Sequence, residues 1–379
     1  MTNAELKGRR PTWAESNLRN LAHNIRAIRA FAGHKCEYLL PVKADAYGHG
    51  MIGVAKTAIA EGVRYLGIAS TDEGMTLRRN GIHAQLLILG LSFPEQIPAI
   101  LKYNLIPAVA TREFIDALDR AAHTRGVHVP VHVKIDTGMG RIGVSESDAL
   151  PFVEYTALKK NIILEGVFTH FPVSDDDVPY SRRQLARFSK IIERIAAFGI
   201  RPKYIHAANS AAVVNLPKSI FNMIRPGLIS YGYTTFPLPK RLTLKPVISV
   251  KSRIIFVKKI DKGMSVSYGR TYIAKRSTVV ATVPIGYEDG LNRRFSNNLS
   301  MLVRGVRVPL IGRVTMDQCM LDVTRLDHQR PVVPGEEVVI IGKQGGDEIT
   351  VEELAARIGT IPYEIPCMLS ERVPLIYKN

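Results

Sequence analysis

The sequence predicts an α/β chain with an N-terminal (β/α)8 TIM-type barrel followed by a mostly β C-terminal domain. Three observations carry this expectation. Eight short apolar runs recur between about residues 36 and 231, at the spacing of roughly 20 to 35 residues that a strand-plus-helix unit needs. Stretches with helical period lie between several of them. After about residue 240 the runs are strand-like and are separated by Gly, Pro and Asp turns.

The eight runs are "EYLLPVKA", "YLGIAS", "QLLILG", "IPAVAT", "VPVHVKIDT", "LEGVFTH", "KYIHAANS" and "FNMIRPGLISYG". Alternation with helices implies parallel strands and right-handed crossovers. Eight units point to a barrel rather than an open doubly wound sheet. No GxGxxG opens a helix after the first strand, which weakens a dinucleotide-binding alternative. In "SRRQLARFSKIIERIAAFG", Leu185, Phe188, Ile192 and Ile195 recur every three or four places, and Gly199 and Pro202 stop the helix. The proline-rich "TTFPLPKRLTLKP" reads as a linker. Beyond it, "KPVISVKSRIIFVKKI", "MSVSYGRTY", "STVVATVPIGY", "LSMLVRGVRVPLIGRV", "MDQCMLDVT" and "EEVVIIGKQ" read as strands. Only "TVEELAARIG" reads as a helix there, with Thr350 as cap and Glu353 three residues on. The expected division is a barrel over 14–240 and a β-rich domain over 241–379, joined by the N-terminal segment 1–13.

Composition narrows the class. The chain has 379 residues, 46% of them hydrophobic and 22% charged, as in a soluble globular protein with room for two domains. No apolar run reaches the length of a membrane span. "MTNAELKGRRPTWAESNLRN" has no apolar core after its basic residues, unlike a secretory signal. Cys36, Cys319 and Cys367 stand singly without CxxC or metal spacing, which fits a reducing compartment and no metal site. A cytoplasmic protein is expected. The formal net charge is +17, but the basic residues are spread and no basic run is interleaved with aromatics. That argues against a nucleic-acid partner, while a spread positive field also draws small anions.

In barrels of this type the reactive groups sit at the C-terminal ends of strands. Lys43, Arg141, His170, Ser210 and Arg225 all fall at or just past those ends. Taken alone, Lys43 reads as an ammonium emerging at the barrel mouth. In a partly apolar pocket, however, a lysine becomes a usable amine nucleophile. That suits the Schiff base that anchors pyridoxal phosphate (PLP, pyridoxal 5'-phosphate). Such a cofactor needs a phosphate cradle and a partner for its ring nitrogen. "AANSAAV" and "RPGLISYG" suit the cradle, since small residues let backbone N–H groups approach a phosphate closely. By itself "RPG" reads as a surface turn with a solvated arginine.

"VKADAYGHG", "VKIDTGMGRIG", "THF", "HAANSAA", "RPGLISYG", "VSYGRTY", "IGYEDG", "GRVTMDQCMLDV" and "IPYEI" occur in the order found in alanine racemases. Through them the chain resembles that family of fold-type III PLP enzymes from near residue 36 to near 373. The resemblance implies that Lys43 holds PLP and is one of two catalytic bases. It implies that Tyr268, supplied by the partner subunit, is the other. A tyrosine with an ordinary pKa of about 10 needs help from its surroundings to act as a base. Arg225 would meet the pyridine nitrogen and, having no acceptor, keep it unprotonated. His170 would link Arg225 towards Tyr268.

By the same resemblance Arg141 reaches the cofactor's phenolic oxygen and the substrate carboxylate, and Lys134 matches a position carbamylated in many members. Tyr47, Ser210, Gly227, Leu228 and Tyr363 match phosphate-binding positions. Met316 would offer its backbone N–H to the substrate, and Asp175, Tyr287, Arg293 and Arg313 match an access corridor. The chain departs from the family at "THFPVSDDD", where "THFAxAD" is common, and at Thr315, where cysteine is common. The implied activity is interconversion of L- and D-alanine, supplying D-alanine for cell-wall peptidoglycan, by a homodimer with shared sites. A racemase of broader specificity, taking serine for example, is the runner-up. A fold-type III decarboxylase, a PLP carrier and a nucleic-acid-binding protein each lack support from Arg225, "VSYG" or the β-rich domain.

Overall fold

The computed structural model describes residues 8, 10–33 and 36–378. Of the N-terminal segment 1–13, residues 1–7 and 9 therefore lie outside the described residues. The first strand is β1 (Thr12–Asn17). The eight apolar runs follow as β2 (Glu37–Pro41), β3 (Tyr65–Ile68), β4 (Gln85–Leu91), β5 (Leu105–Val109), β6 (Val129–Lys134), β7 (Ile162–Phe168), β8 (Tyr204–His206) and β9 (Met223–Ile224).

These eight form one parallel sheet in the order β8-β7-β6-β5-β4-β3-β2-β9. The sheet curls until its edges meet. The Arg225 N–H donates to the Ala208 carbonyl at 2.9 Å, and the Ile205 N–H donates to Asn222 Oδ1 at 2.8 Å. The barrel is thus nearly closed. Strands β2 and β5 are buried along their whole length, as strands covered on both faces must be. Leu39, Tyr65, Leu87, Ile106, Tyr204 and Met223 fill an inner layer, so the barrel is packed and not a pore.

The long helix expected before β8 spans Val178–Ala197, capped by the Asp177 side chain on the Tyr180 N–H. Its buried stripe is Leu185, Phe188, Ile191 and Ile195. The stripe is deepest at Ile191, while the expected Ile192 is half-buried and also packs against the core. Both lie within one turn of Phe188, and a 3.6-residue period leaves that choice to packing. Each fully buried aliphatic side chain stabilises by about 1.5–3 kcal/mol.

The C-terminal part opens with β10 (Ile248–Arg253). A mixed sheet runs Val306–Pro309, Ser300–Val303, Glu337–Gln344, β10, β1 and Leu375–Lys378. β1 pairs antiparallel with β10 and parallel with Leu375–Lys378, so the two ends of the described chain share one sheet. The expected helix spans Val351–Ile358, with the Thr350 hydroxyl accepting from the Glu353 N–H at 3.1 Å. It is not alone there. Thr324–Asp327 and Glu364–Cys367 are also helical. Single turns hold too few residues to leave a period in sequence. Among the described residues no helix is long and apolar enough to cross a membrane.

Candidate active site

Strand β2 ends at Pro41, and the chain then enters an unusual turn. Ala44, Asp45, Ala46 and Tyr47 all have left-handed backbones, with φ of 53°, 50°, 55° and 55°. L-residues lose roughly 1–2 kcal/mol each in that region, so the neighbours must hold the turn. Glu73 does so at one end, accepting from the Ala44 N–H at 2.7 Å and the Ala69 N–H at 2.6 Å. Asp45 accepts from the Met51 N–H at 2.7 Å and starts the following helix.

His49 locks the far end of the turn. Its Nδ1 faces the carbonyls of Ala46 and Tyr47 at 3.0 and 2.8 Å, so that nitrogen donates. Its Nε2 then accepts from the Tyr233 hydroxyl at 3.0 Å. Burial pushes the imidazole down to about 4, which keeps it neutral. The sequence left Asp45 and His49 without a role, and the fold supplies one.

The turn delivers Lys43, Ala44 and Tyr47 to a cavity of about 500 Å³ at the C-terminal ends of the barrel strands. Lys134, Arg141, His170, Ser210, Arg225, Gly227 and Tyr363 line the same space. Among its described lining residues four are cationic by type, Lys43, Lys134, Arg141 and Arg225, and none is a carboxylate. Such a cavity favours a small ligand carrying several negative charges. Burial, and then the nearby Arg141, depress the Lys43 amine below its ordinary value, with Glu73 opposing them.

Lys134 ends β6 and is 2% exposed, with the Phe168 ring 5.0 Å from its Nζ and the Ile135 carbonyl 3.5 Å away. Burial, followed by Arg225, pulls this amine down to about 7. Arg141 sits in the loop after β6, where the Asp136 carboxylate accepts from the N–H groups of Gly138, Met139 and Gly140 at 2.8–2.9 Å. "GMGRIG" satisfies GxGxxG by letter. It opens no helix, however, because Val144 turns back to bond Lys134 and Asp136.

Arg225 follows β9 and is 5% exposed. Its guanidinium donates to the Thr169 carbonyl at 2.7 Å, the Ala207 carbonyl at 3.1 Å and His206 Nδ1 at 2.7 Å. His170 Nδ1 lies 3.4 Å from Nη2. Burial lowers Arg225 to about 9, so it is still a cation at neutral pH.

Tyr47, Ser210 and Tyr363 bring three hydroxyls to one side of the cavity. Gly227 has no room for a side chain, since a Cβ there would lie 2.7 Å from the Tyr47 hydroxyl. The space is therefore kept for backbone and hydroxyl donors, which fits a phosphate group. Leu228 sits behind this wall, 1% exposed.

The remaining expected residues lie elsewhere. Tyr268, Met316 and Tyr287 are 73%, 50% and 41% exposed on the C-terminal β-rich part. They belong to one surface. The Ser267 hydroxyl donates to the Arg313 carbonyl at 2.8 Å, and the N–H groups of Tyr287 and Glu288 donate to the carbonyls of Thr315 and Met316 at 3.0 and 3.1 Å. Arg293 is on a short turn, Arg293–Phe295. Asp175 accepts from the Thr235 hydroxyl at 2.7 Å. Within one chain, Tyr268 and Met316 are not among the residues lining the Lys43 cavity.

Glu73 and His206 support the site and were not singled out from sequence. His206 lies inside the quoted "HAANSAA", where strand alternation after a buried tyrosine could have pointed it inward. Glu73 sits on a neighbouring helix, and no local signal ties it to Lys43.

The description "Alanine racemase, N-terminal domain" matches residues 16–235, and "Alanine racemase, C-terminal domain" matches residues 247–377. An alanine racemase of Carboxydothermus hydrogenoformans is 43% identical over 371 residues, covering 97% of this chain and 100% of that protein. The solved alanine racemase of Clostridium difficile 630 superposes with a TM-score of 0.91 at 35% identity, covering 97% of this chain and 96% of that one. A histidine racemase from Leuconostoc mesenteroides subsp. sake superposes with a TM-score of 0.88 at 27% identity, covering 98% and 99%.

Proposed function

This chain belongs to the alanine racemase family, a family of isomerases, and from that premise we propose that it interconverts L- and D-alanine with pyridoxal phosphate held at Lys43. One observation carries the reading: two lysines, two arginines, three hydroxyls and a side-chain-free Gly227 converge on a single cavity at the barrel mouth. When bound, the cofactor draws off the electron pair left at the substrate's Cα. Lys43 Nζ would hold it at rest and, freed when the substrate amine takes its place, would exchange the Cα proton on one face, a task suited to an amine whose ammonium form is disfavoured by burial and by Arg141.

Tyr47, Ser210, Gly227, Leu228 and Tyr363 hold the phosphate. Arg225 donates to the ring nitrogen and cannot accept a proton from it. Arg141 orients the substrate carboxylate, and Lys134, a buried amine near it that burial and Arg225 pull down to about 7, is suited to capture CO₂ as a carbamate. Racemisation needs a second base on the opposite face. The partner subunit's Tyr268 takes that part, with Met316 offering its N–H beside it and His170 linking it to Arg225. The high exposure of Tyr268 and Met316 in one chain supports a homodimer in which each protomer completes the other's site. Asp175, Tyr287, Arg293 and Arg313 shape the entrance between them. Supply of D-alanine to peptidoglycan in the cytoplasm is the physiological role that fits this activity.

The histidine racemase likeness leaves substrate size open to test, but the higher identity to alanine racemases favours alanine. The experiment is purification followed by an absorbance scan and an assay of D-alanine formation. Wild type is expected to be yellow and active, and Lys43→Ala to lose both properties. Tyr268→Phe should keep the cofactor and lose at least about 100-fold in turnover. A colourless, inactive wild type after added pyridoxal phosphate contradicts the reading.

A further inference from the structure

Arg225 heads a file of hydrogen-bonded side chains that runs down the barrel interior, away from the cavity. Its Nη1 meets His206 Nδ1 at 2.7 Å, His206 Nε2 meets His132 Nδ1 at 2.7 Å, and His132 Nε2 meets a Glu165 oxygen at 3.1 Å. The Tyr65 hydroxyl donates to the other Glu165 oxygen at 2.9 Å. Both histidines are fully buried.

The chemistry of the two ends fixes every proton between them. A guanidinium only donates, so His206 Nδ1 must accept and its Nε2 must carry the hydrogen. His132 Nδ1 accepts that hydrogen, and His132 Nε2–H donates to the carboxylate. Burial, with Arg225 next, holds His206 well below its ordinary value. Burial also lowers His132 in spite of Glu165. Burial, the largest single influence, would raise Glu165, but the interactions with His132, Tyr65 and Lys203 together outweigh it and keep the carboxyl below its ordinary value. Two neutral imidazoles therefore separate one cation from one anion.

The barrel is shaped around this file. His132 on β6 and His206 on β8 face each other across β7, whose Gly166 pairs with His132 and whose Phe168 pairs with His206. A Cβ on Gly166 would lie 2.4 Å from His132 Nδ1, so only glycine leaves room for the ring. Phe168 stacks on His206 with centroids 4.7 Å apart and planes within 1°.

We infer that Glu165 is a positioning residue, which through His132 and His206 fixes the direction in which Arg225 donates and anchors its charge at the floor of the cavity. This rests on the reading that Arg225 meets the cofactor's ring nitrogen. Without an acceptor at the far end, the buried His132 Nε2–H that Arg225 imposes through His206 is left unpaired, so the opposite tautomers, which set one donor against another at Arg225, gain population.

The test is nitrogen-15 NMR of histidine-labelled, full-length protein at pH 7, read together with steady-state kinetics. Wild type should show His132 and His206 as neutral Nε2–H tautomers. Glu165→Leu should lose that signature at both rings and lower kcat about tenfold with KM little changed, the scale of one lost hydrogen bond to a charged group. Glu165→Gln keeps an acceptor oxygen and should restore both the tautomers and kcat. Should Glu165→Leu not fold, His132→Leu carries the same test at His206. Unchanged tautomers in a folded Glu165→Leu protein overturn the inference, as does failure of Glu165→Gln to restore them. Lost tautomers with unchanged kcat leave Glu165 as the anchor of Arg225 and overturn instead the role given to Arg225 at the cofactor.

Discussion

At the scale of single residues, Lys134 links burial to chemistry most directly. Its ordinary value of 10.5 falls to about 7 in the fold, through burial first and the Arg225 charge second. Below about pH 7 folded and unfolded chains both hold the proton, and the penalty of a buried ammonium stands in full. Between about 7 and 10.5 the unfolded chain binds more protons, so the stability due to this group rises with pH. In CO₂-depleted buffer, Lys134→Met should therefore stabilise the protein at pH 6 by about 1–3 kcal/mol. That gain should shrink towards pH 10 in thermal melts, and a pH-independent difference contradicts the assignment. With labelled carbonate at pH 8, carbon-13 NMR should show a carbamate that Lys134→Met abolishes.

Lys43, Arg141, His170, Ser210 and Arg225 were legible because polar and charged types at the ends of apolar runs are unusual and chain-local. Glu73, His132 and Glu165 were not. Each acts through a partner on another element, at a sequence distance that no local pattern encodes. For Asp45 and His49 the obstacle was conformational, because nothing in "ADAY" announces four consecutive left-handed residues.

That turn is the element on which the site depends. It stores backbone strain, offset by the Glu73, Asp45 and His49 hydrogen bonds, each worth about 1 kcal/mol net. Ala44 is exposed and left-handed, so Ala44→Gly should raise stability by about 0.5–1 kcal/mol in chemical denaturation. A loss of stability would mean that the turn is not strained at Ala44. The opposite wall makes a complementary prediction. Gly227→Ala forces a Cβ against the Tyr47 hydroxyl, so titration of the cofactor should show affinity lower by about tenfold or more, with the melting temperature of the cofactor-free protein changed much less. The strand series was readable from its regular spacing, and Tyr204–His206 and Met223–Ile224 survive as very short strands because the barrel closes on them. The turns Thr324–Asp327 and Glu364–Cys367 were missed because one turn has no period.

At the scale of the whole molecule, the proposed function gives the chain two half-sites. One is the Lys43 cavity at the barrel mouth, and the other is the exposed surface of Tyr268, Tyr287 and Met316 on the β-rich part. Motif order suggested both in sequence, while the pairing proposed for them belongs to assembly, which one chain's sequence does not spell out. The chain carries a formal charge of +17 and its cavity is lined by two lysines, two arginines and no carboxylate among the described residues, which suits an anionic cofactor and a carboxylate substrate.

Joining the two halves across a two-fold axis is the central claim, and subunit complementation tests it most directly. Lys43→Ala and Tyr268→Phe proteins, each nearly inactive alone, would be co-expressed with different tags, and the mixed dimer isolated by both tags. One of its two sites then pairs an intact Lys43 with an intact Tyr268, and the other has neither. D-alanine formation by that mixed dimer should reach about half of the wild-type rate. A mixed dimer no more active than the two parent variants would contradict a site built from Lys43 of one protomer and Tyr268 of its partner.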